Sequence, residues 1–304
     1  MDRNFRLNPP LLRMVIIMIA FSLLTAACSN PLSRLRSTAS QTQSDQRVAV
    51  LMYHQIFPEI TDDQKSSVSV AQFKDHLKTL QDNGYHIITM KQFHNFIVKG
   101  KSVPDKSVLI TFDDGYETFY TYAYPALKEA KATGSVFIIG AYTDMFNPDA
   151  FPHLTWDQMR ELKKNGMGVY NHSYNSHNYA VASEDGTLKK AQLAGPLYLP
   201  INERMETAED FRQRAYSDIA FMEKRLKDEL GAAPGILSLP YGAYSQDTLE
   251  AGKQAGITLY FTIKPGLNKP GQLEALRINA GKPNFSGEQL VKRLDDLRKQ
   301  KALK

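Results

Sequence analysis

The chain has 304 residues, 42% of them hydrophobic, enough for one large core or two modest ones. Its formal charge of +5 comes partly from the first 13 residues, where Arg3, Arg6 and Arg13 outweigh Asp2 and leave the remainder near +3. With no dense Lys/Arg block and no interleaving of basic and aromatic residues, nucleic acid is excluded as the expected partner.

In chain order, arginine-bearing residues 1–13 precede the apolar run MVIIMIAFSLLTAA and then Cys28. A charged region, an apolar region and small residues in that order predict an export signal over 1–27. The run is shorter than the roughly 20 residues that a membrane span needs. LTAAC is similar to the lipobox of bacterial lipoproteins, which implies lipidation of Cys28 and a lipid anchor in the cell membrane. A plain secretion signal and an uncleaved anchor are the alternatives. Cys28 is the one cysteine, so no intramolecular disulfide can form and the exported fold must stand on its core. Residues 28–46, rich in Ser, Thr and Gln, are expected to be a flexible tether.

From residue 47 strand-like and helix-like segments alternate through to residue 304, with no further domain boundary. VAVLMY, SVLITF and SVFIIG read as buried strands, and a short strand at 168–170 runs into NHSYNSH. Helical spacing of Phe73, Leu77 and Leu80 predicts a helix ending at Gly84. A second helix is expected over AYPALKEAKATG, closing on Gly134, and a third over TWDQMRELKKNG with Thr155 as N-cap. Residues 178–206 lack periodicity and read as an insertion or long surface loop. Phe211, Ala215, Ile219, Met222, Leu226 and Leu230 form one stripe of the longest helix, which Gly231 stops. GILSLPYG and ITLYFTI are further strands, and a last helix starts near Ser286 with Gln289 completing a capping box. Repeated βα units imply a largely parallel sheet or barrel, with reactive residues where the strands end.

Two stretches carry chemistry. TFDDGY sets Asp113 and Asp114 side by side where an apolar strand surfaces, a costly arrangement unless a cation holds one of them. His172 and His177 lie five apart, about 140° from each other on a helix and on opposite faces of a strand. Only a strand ending in a turn lets both face one ion, where two imidazoles and a carboxylate make a three-donor site with an open position.

Together, in this order and at this separation, TFDDGY and HSYNSH resemble the first two motifs of the polysaccharide deacetylases, the NodB-homology group of carbohydrate esterase family 4. The resemblance covers residues 48–282. It implies an α/β fold, a distorted (β/α) barrel forming a single catalytic domain. It also implies Asp113 as general base and Asp114, His172 and His177 as ligands of a divalent metal ion; this donor set accepts Zn, Co, Ni or Fe. LPYG resembles the third motif and implies that the backbone N–H at Tyr241 holds the oxyanion. Two departures stand out. The arginine that orients the base in much of the family is replaced by Ser238, and no histidine follows His177 to serve as general acid. VLMYHQI, which puts His54 at the end of the first strand, FTIKPG and LRINAG instead resemble the subgroup of poly-β-1,6-N-acetyl-D-glucosamine N-deacetylases of biofilm formation. There the N-terminal strand's histidine is the acid, which implies that role for His54; a histidine buried at a strand end for structure is the alternative.

The resemblance implies an extracytoplasmic, metal-dependent N-deacetylase that releases acetate from an N-acetylglucosamine polysaccharide, working as a monomer. A chitin or peptidoglycan deacetylase of the same fold and a non-catalytic sugar-binding lipoprotein are the other readings. His76, His86, His94 and His153 are expected at the surface or in structural roles, and Trp156 in the core. Tyr174, Tyr179, Tyr241 and Tyr244 fit packing at strand ends or stacking on sugar rings.

Overall fold

The computed structural model describes residues 46–300 apart from 62, 63, 65, 146, 233 and 234; the expected export signal, Cys28 and tether lie outside them. Six strands form the frame: β1 (Val48–Tyr53), β2 (Ser107–Phe112), β3 (Ser135–Ile138), β4 (Gly168–Asn171), β5 (Ile236–Ser238) and β6 (Leu259–Phe261). They lie side by side in chain order, every neighbouring pair parallel. β1 and β2 are buried at every position, as strands covered on both faces must be. Alternate residues of β1 point to opposite sides. Ala49, Leu51 and Tyr53 join the cluster that takes in the surrounding helices, while Val48 and Val50 join Leu109, Phe137 and Phe261.

The sheet curls nearly shut. Phe137 of β3 and Phe261 of β6 are separated by two strands, yet their ring centroids are 5.0 Å apart. The closing piece is residues 267–279. Glu274–Ala275 pairs with β6, whereas Leu267–Asn268 and Ile278–Asn279 pair with β1 at the other end. The architecture is therefore the expected distorted barrel, dominated by parallel strands.

Around it lie α1 (Val70–Asp82), α2 (Met90–Lys99), α3 (Tyr124–Glu129), α4 (Gly140–Asp144), α5 (Trp156–Lys164), α6 (Ala208–Leu230), α7 (Gln246–Gln254) and α8 (Gly287–Lys299). The expected caps are in place. Thr155 with Gln158 opens α5, and Ser286 with Gln289 opens α8, each a reciprocal box. Phe211, Ala215, Ile219, Met222 and Leu226 are the buried stripe of α6, and Gly231 ends that helix in the left-handed conformation.

Two expectations need correction. The helix expected to close on Gly134 instead begins as a π-turn at Phe119–Ala123 and stops at Glu129. Lys131 turns left-handed there, and Ala132 N–H donates back to Leu127 O at 2.8 Å, which ends the helix five residues early. Residues 178–206 are not a bare loop. They hold two small antiparallel ladders, Tyr179–Val181 with Lys189–Ala191 and Tyr198–Leu199 with Arg204–Met205. Strands of two or three residues are too short to show a period. Among the described residues, no helix is long and apolar enough to cross a membrane.

Candidate active site

The register puts the ends of β1, β2, β3, β4 and β5 on one rim, because Tyr53 pairs with Phe112, Ile138 with Asn171 and Leu237 with Asn171. His54, Asp113, His172 and Leu239 are the next residues out. The chain does not leave this rim in ordinary backbone. Asp114, Gly115 and Ser173 all have φ between +71° and +74°, so each strand is followed at once by a reversal. Asp tolerates that region better than most side chains. At Gly115 a Cβ would come within 2.9 Å of Ile138 Cγ2 and 3.1 Å of its backbone, so the third residue of DDG has no room for one.

These reversals bring the two motifs together. Asp114 Oδ1 lies 3.3 Å from His172 Nε2 and 3.2 Å from His177 Nε2, and one donor atom from each residue falls within 4.8 Å of the others. Asp114 and His172 are buried and His177 is partly so. Asp114 Oδ1 is buried with no hydrogen bond among the described residues, although two ring nitrogens face it. His172 Nδ1 is 2.8 Å from the Ser238 carbonyl, which can only accept, so Nδ1 carries a proton and Nε2 is the nitrogen turned towards Asp114. Burial and the neighbouring His172 push the His177 imidazole down to about 4, which keeps it neutral near pH 7. An orphaned carboxylate oxygen and two inward-facing imidazole nitrogens fit a divalent cation with nitrogen and oxygen donors.

Asp113 has a different environment. Its Oδ1 accepts a 2.7 Å charged hydrogen bond from Arg277 Nη1, and both partners are buried. Arg277 also donates from Nη2 to Ser238 Oγ at 3.1 Å and from Nε to Thr262 O at 2.7 Å. Burial alone would raise the Asp113 carboxyl. The Arg277 guanidinium, followed by His172 and His54, outweighs that and holds it below the usual carboxylate range. Asp114 is likewise held low against burial, by His172 and then by His54 and His177. The two aspartates are thus distinct: one faces imidazoles and one faces a guanidinium.

His54 is half-buried at the same rim, and its Nδ1 is buried without a hydrogen-bond partner among the described residues. Tyr241 sits just beyond β5 with φ +57°, its hydroxyl donating to His177 O at 3.2 Å. All the residues singled out by the motifs therefore gather at one place, except Cys28, which lies outside the described residues. His76 is fully buried, held by Tyr53 Oη at 2.8 Å and by Phe285 O, a structural role. Trp156 packs against the core and donates to Asp144.

Arg277 is the site residue that sequence reasoning missed. The arginine absent from position 238 is supplied by the barrel-closing segment 267–279, and Ser238 serves as one of its acceptors. A signal was present: a lone charged residue among the short apolar steps of ALRINAG, where burial requires a partner. Only the closure of the sheet identifies that partner as Asp113.

The sequence profile of the polysaccharide deacetylase family matches residues 100–260. A poly-β-1,6-N-acetyl-D-glucosamine N-deacetylase of Escherichia coli (strain K12) is 26% identical over 280 residues, 86% of this chain and 42% of that protein. The chain thus spans less than half the length of that relative. A protein of the same name from Staphylococcus aureus (strain N315) is 27% identical over 199 residues, 65% of this chain and 61% of that one. Among solved structures, a de-N-acetylase from Aggregatibacter actinomycetemcomitans superposes with a TM-score of 0.73 at 24% identity, covering 82% of this chain and 100% of the other. IcaB from Ammonifex degensii gives 0.66 at 24% identity, covering 82% and 97%. These two structures share the barrel.

Proposed function

The chain belongs to the polysaccharide deacetylase family, a family of hydrolases that act on carbon–nitrogen bonds, and from that premise we propose that it removes acetyl groups from a β-linked N-acetylglucosamine polymer outside the cytoplasm. Poly-β-1,6-N-acetyl-D-glucosamine, the polymer named for the relatives from two genera, is the substrate we assign. The observation that carries the reading is the division of labour between the paired aspartates: Asp114 faces His172 and His177, and Asp113 faces Arg277.

In this reading Asp114, His172 and His177 hold a divalent cation. Once bound, it supplies Lewis acidity, making a water acidic near neutral pH and polarising an acetamide carbonyl. Asp113, kept ionised by Arg277, takes the proton from the attacking water. The water oxygen bonds to the carbonyl carbon, and the backbone N–H at Tyr241 holds the oxyanion that develops. His54 gives a proton to the sugar nitrogen as the C–N bond breaks, so acetate and a free amine leave. Each turnover converts a neutral acetamide into an amine that is charged at neutral pH, and the polymer becomes a polycation. That change suits a biofilm matrix that must adhere to anionic cell surfaces. An export signal on 1–27 and lipidation at Cys28 would tether the 47–304 domain beside the emerging polymer.

The test is a substrate panel run on metal-loaded full-length protein. Acetate release should be fastest from a β-1,6-linked N-acetylglucosamine oligomer and slower from chitin and peptidoglycan fragments of equal length. A preference for either fragment overturns the linkage assignment. No release from any of the three, with oligosaccharide binding retained, makes the protein a binder.

A further inference from the structure

Beyond the histidine pair, two tyrosines continue the row of rings outward from the site. The His177 and Tyr241 centroids are 4.4 Å apart with planes inclined at 40°, and those of Tyr241 and Tyr179 are 4.7 Å apart at 52°, so the row is angled rather than flat. Both tyrosines are open to solvent, Tyr241 at 39% and Tyr179 at 59%. Tyr179, more than half exposed, buries little protein surface, so core packing does not account for its place beside the rim.

They are nevertheless fixed in place. The Tyr241 backbone takes a left-handed conformation that is costly for a non-glycine residue, and its hydroxyl is tied to His177 O. Tyr179 opens the first ladder of residues 178–206, paired with Ala191, and Gln192 N–H closes that ladder on Asn178 O. The ladder is anchored to α6 by Arg214. Its guanidinium donates to Gln192 O and Gly195 O while forming a two-pronged pair with the buried Glu206 carboxylate at 2.7 and 2.9 Å. A rigid, solvent-facing aromatic surface loses little freedom when it is covered, which is the property of a preformed binding surface.

We infer that Tyr179 and Tyr241 form a stacking shelf for a pyranose unit of the polymer, next to the unit being deacetylated. A pyranose ring offers a face of C–H bonds with hydroxyls at its edge. Aromatic rings bearing a hydroxyl match that amphipathic surface, and with the planes inclined at 52° one ring can stack on the C–H face while the other borders its edge. The shelf gives the 178–206 insertion a purpose: it carries Tyr179 to the edge of the site. This inference rests on the function proposed above in taking the occupant to be a saccharide.

Tyr179→Ala in the metal-loaded full chain tests it. The expected result is a loss of about threefold to tenfold in kcat/KM on a β-1,6-linked N-acetylglucosamine tetramer, seen as a higher KM. Hydrolysis of a small acetyl ester such as 4-nitrophenyl acetate should be unchanged, and Tyr179→Trp should restore the tetramer value. An equal loss on both substrates, no loss on the tetramer, or failure of Trp to restore overturns the shelf. If the wild type releases no acetate from the tetramer, the proposed function fails, and the shelf is judged by calorimetric binding of the same tetramer. Weaker binding by Tyr179→Ala then upholds it, and equal or absent binding sinks it.

Discussion

Asp113→Asn is expected to bind its metal as the wild type does and to lose about 10²–10⁴ in kcat, the usual contribution of a positioned proton acceptor. The amide is isosteric and its oxygen can still accept from Arg277 Nη1, so the barrel end should keep its shape. The proton of the attacking water would have nowhere to go. Asp114, one residue on, cannot substitute, because its Oδ1 faces the two imidazoles and the backbone reversal at φ +73° turns it away from Arg277. Metal content by elemental analysis, thermal melting and acetate release from one preparation check this. Loss of metal together with activity would move Asp113 into the ligand set, and retained turnover would remove it from the reaction.

Arg277→Met should damage both the fold and the chemistry. Removing one partner of a buried ion pair leaves the other uncompensated, at a cost of about 3–5 kcal/mol. The sign of the pH effect follows from the pair. Arg277 is the main charge holding Asp113 down, so without it the folded-state carboxyl rises. In the proposed reaction Asp113 works deprotonated, so the acid limb of kcat/KM should move to higher pH. In stability terms, a carboxyl held low contributes stability at neutral pH that fades as pH falls towards its folded value. The variant should lose that contribution, and its melting temperature should fall most at neutral pH and least in acid. An unshifted acid limb would show that Arg277 supports only the barrel closure.

The sequence made the fold's repeating part legible because β1 and β2 are continuous apolar runs and the helices carry ordinary caps, as at Thr155 and Ser286. It made Asp113, Asp114, His172 and His177 legible because each pair is local in the chain. Arg277 was hidden for the opposite reason. It lies 164 residues from Asp113, and nothing nearer than the folded barrel connects them. The same holds for residues 178–206, whose ladders take their order from Arg214 and Glu206 rather than from any local period. The early end of α3 depended on a left-handed Lys131, which a propensity argument does not favour.

The most direct measurement is a metal titration of the chelator-treated full-length protein, followed by acetate release from the β-1,6-linked oligomer. The account predicts negligible release without metal and a linear rise that levels off at one equivalent, with no response from Asp114→Ala. Full release after metal removal, or an Asp114→Ala protein that titrates like the wild type, would contradict it.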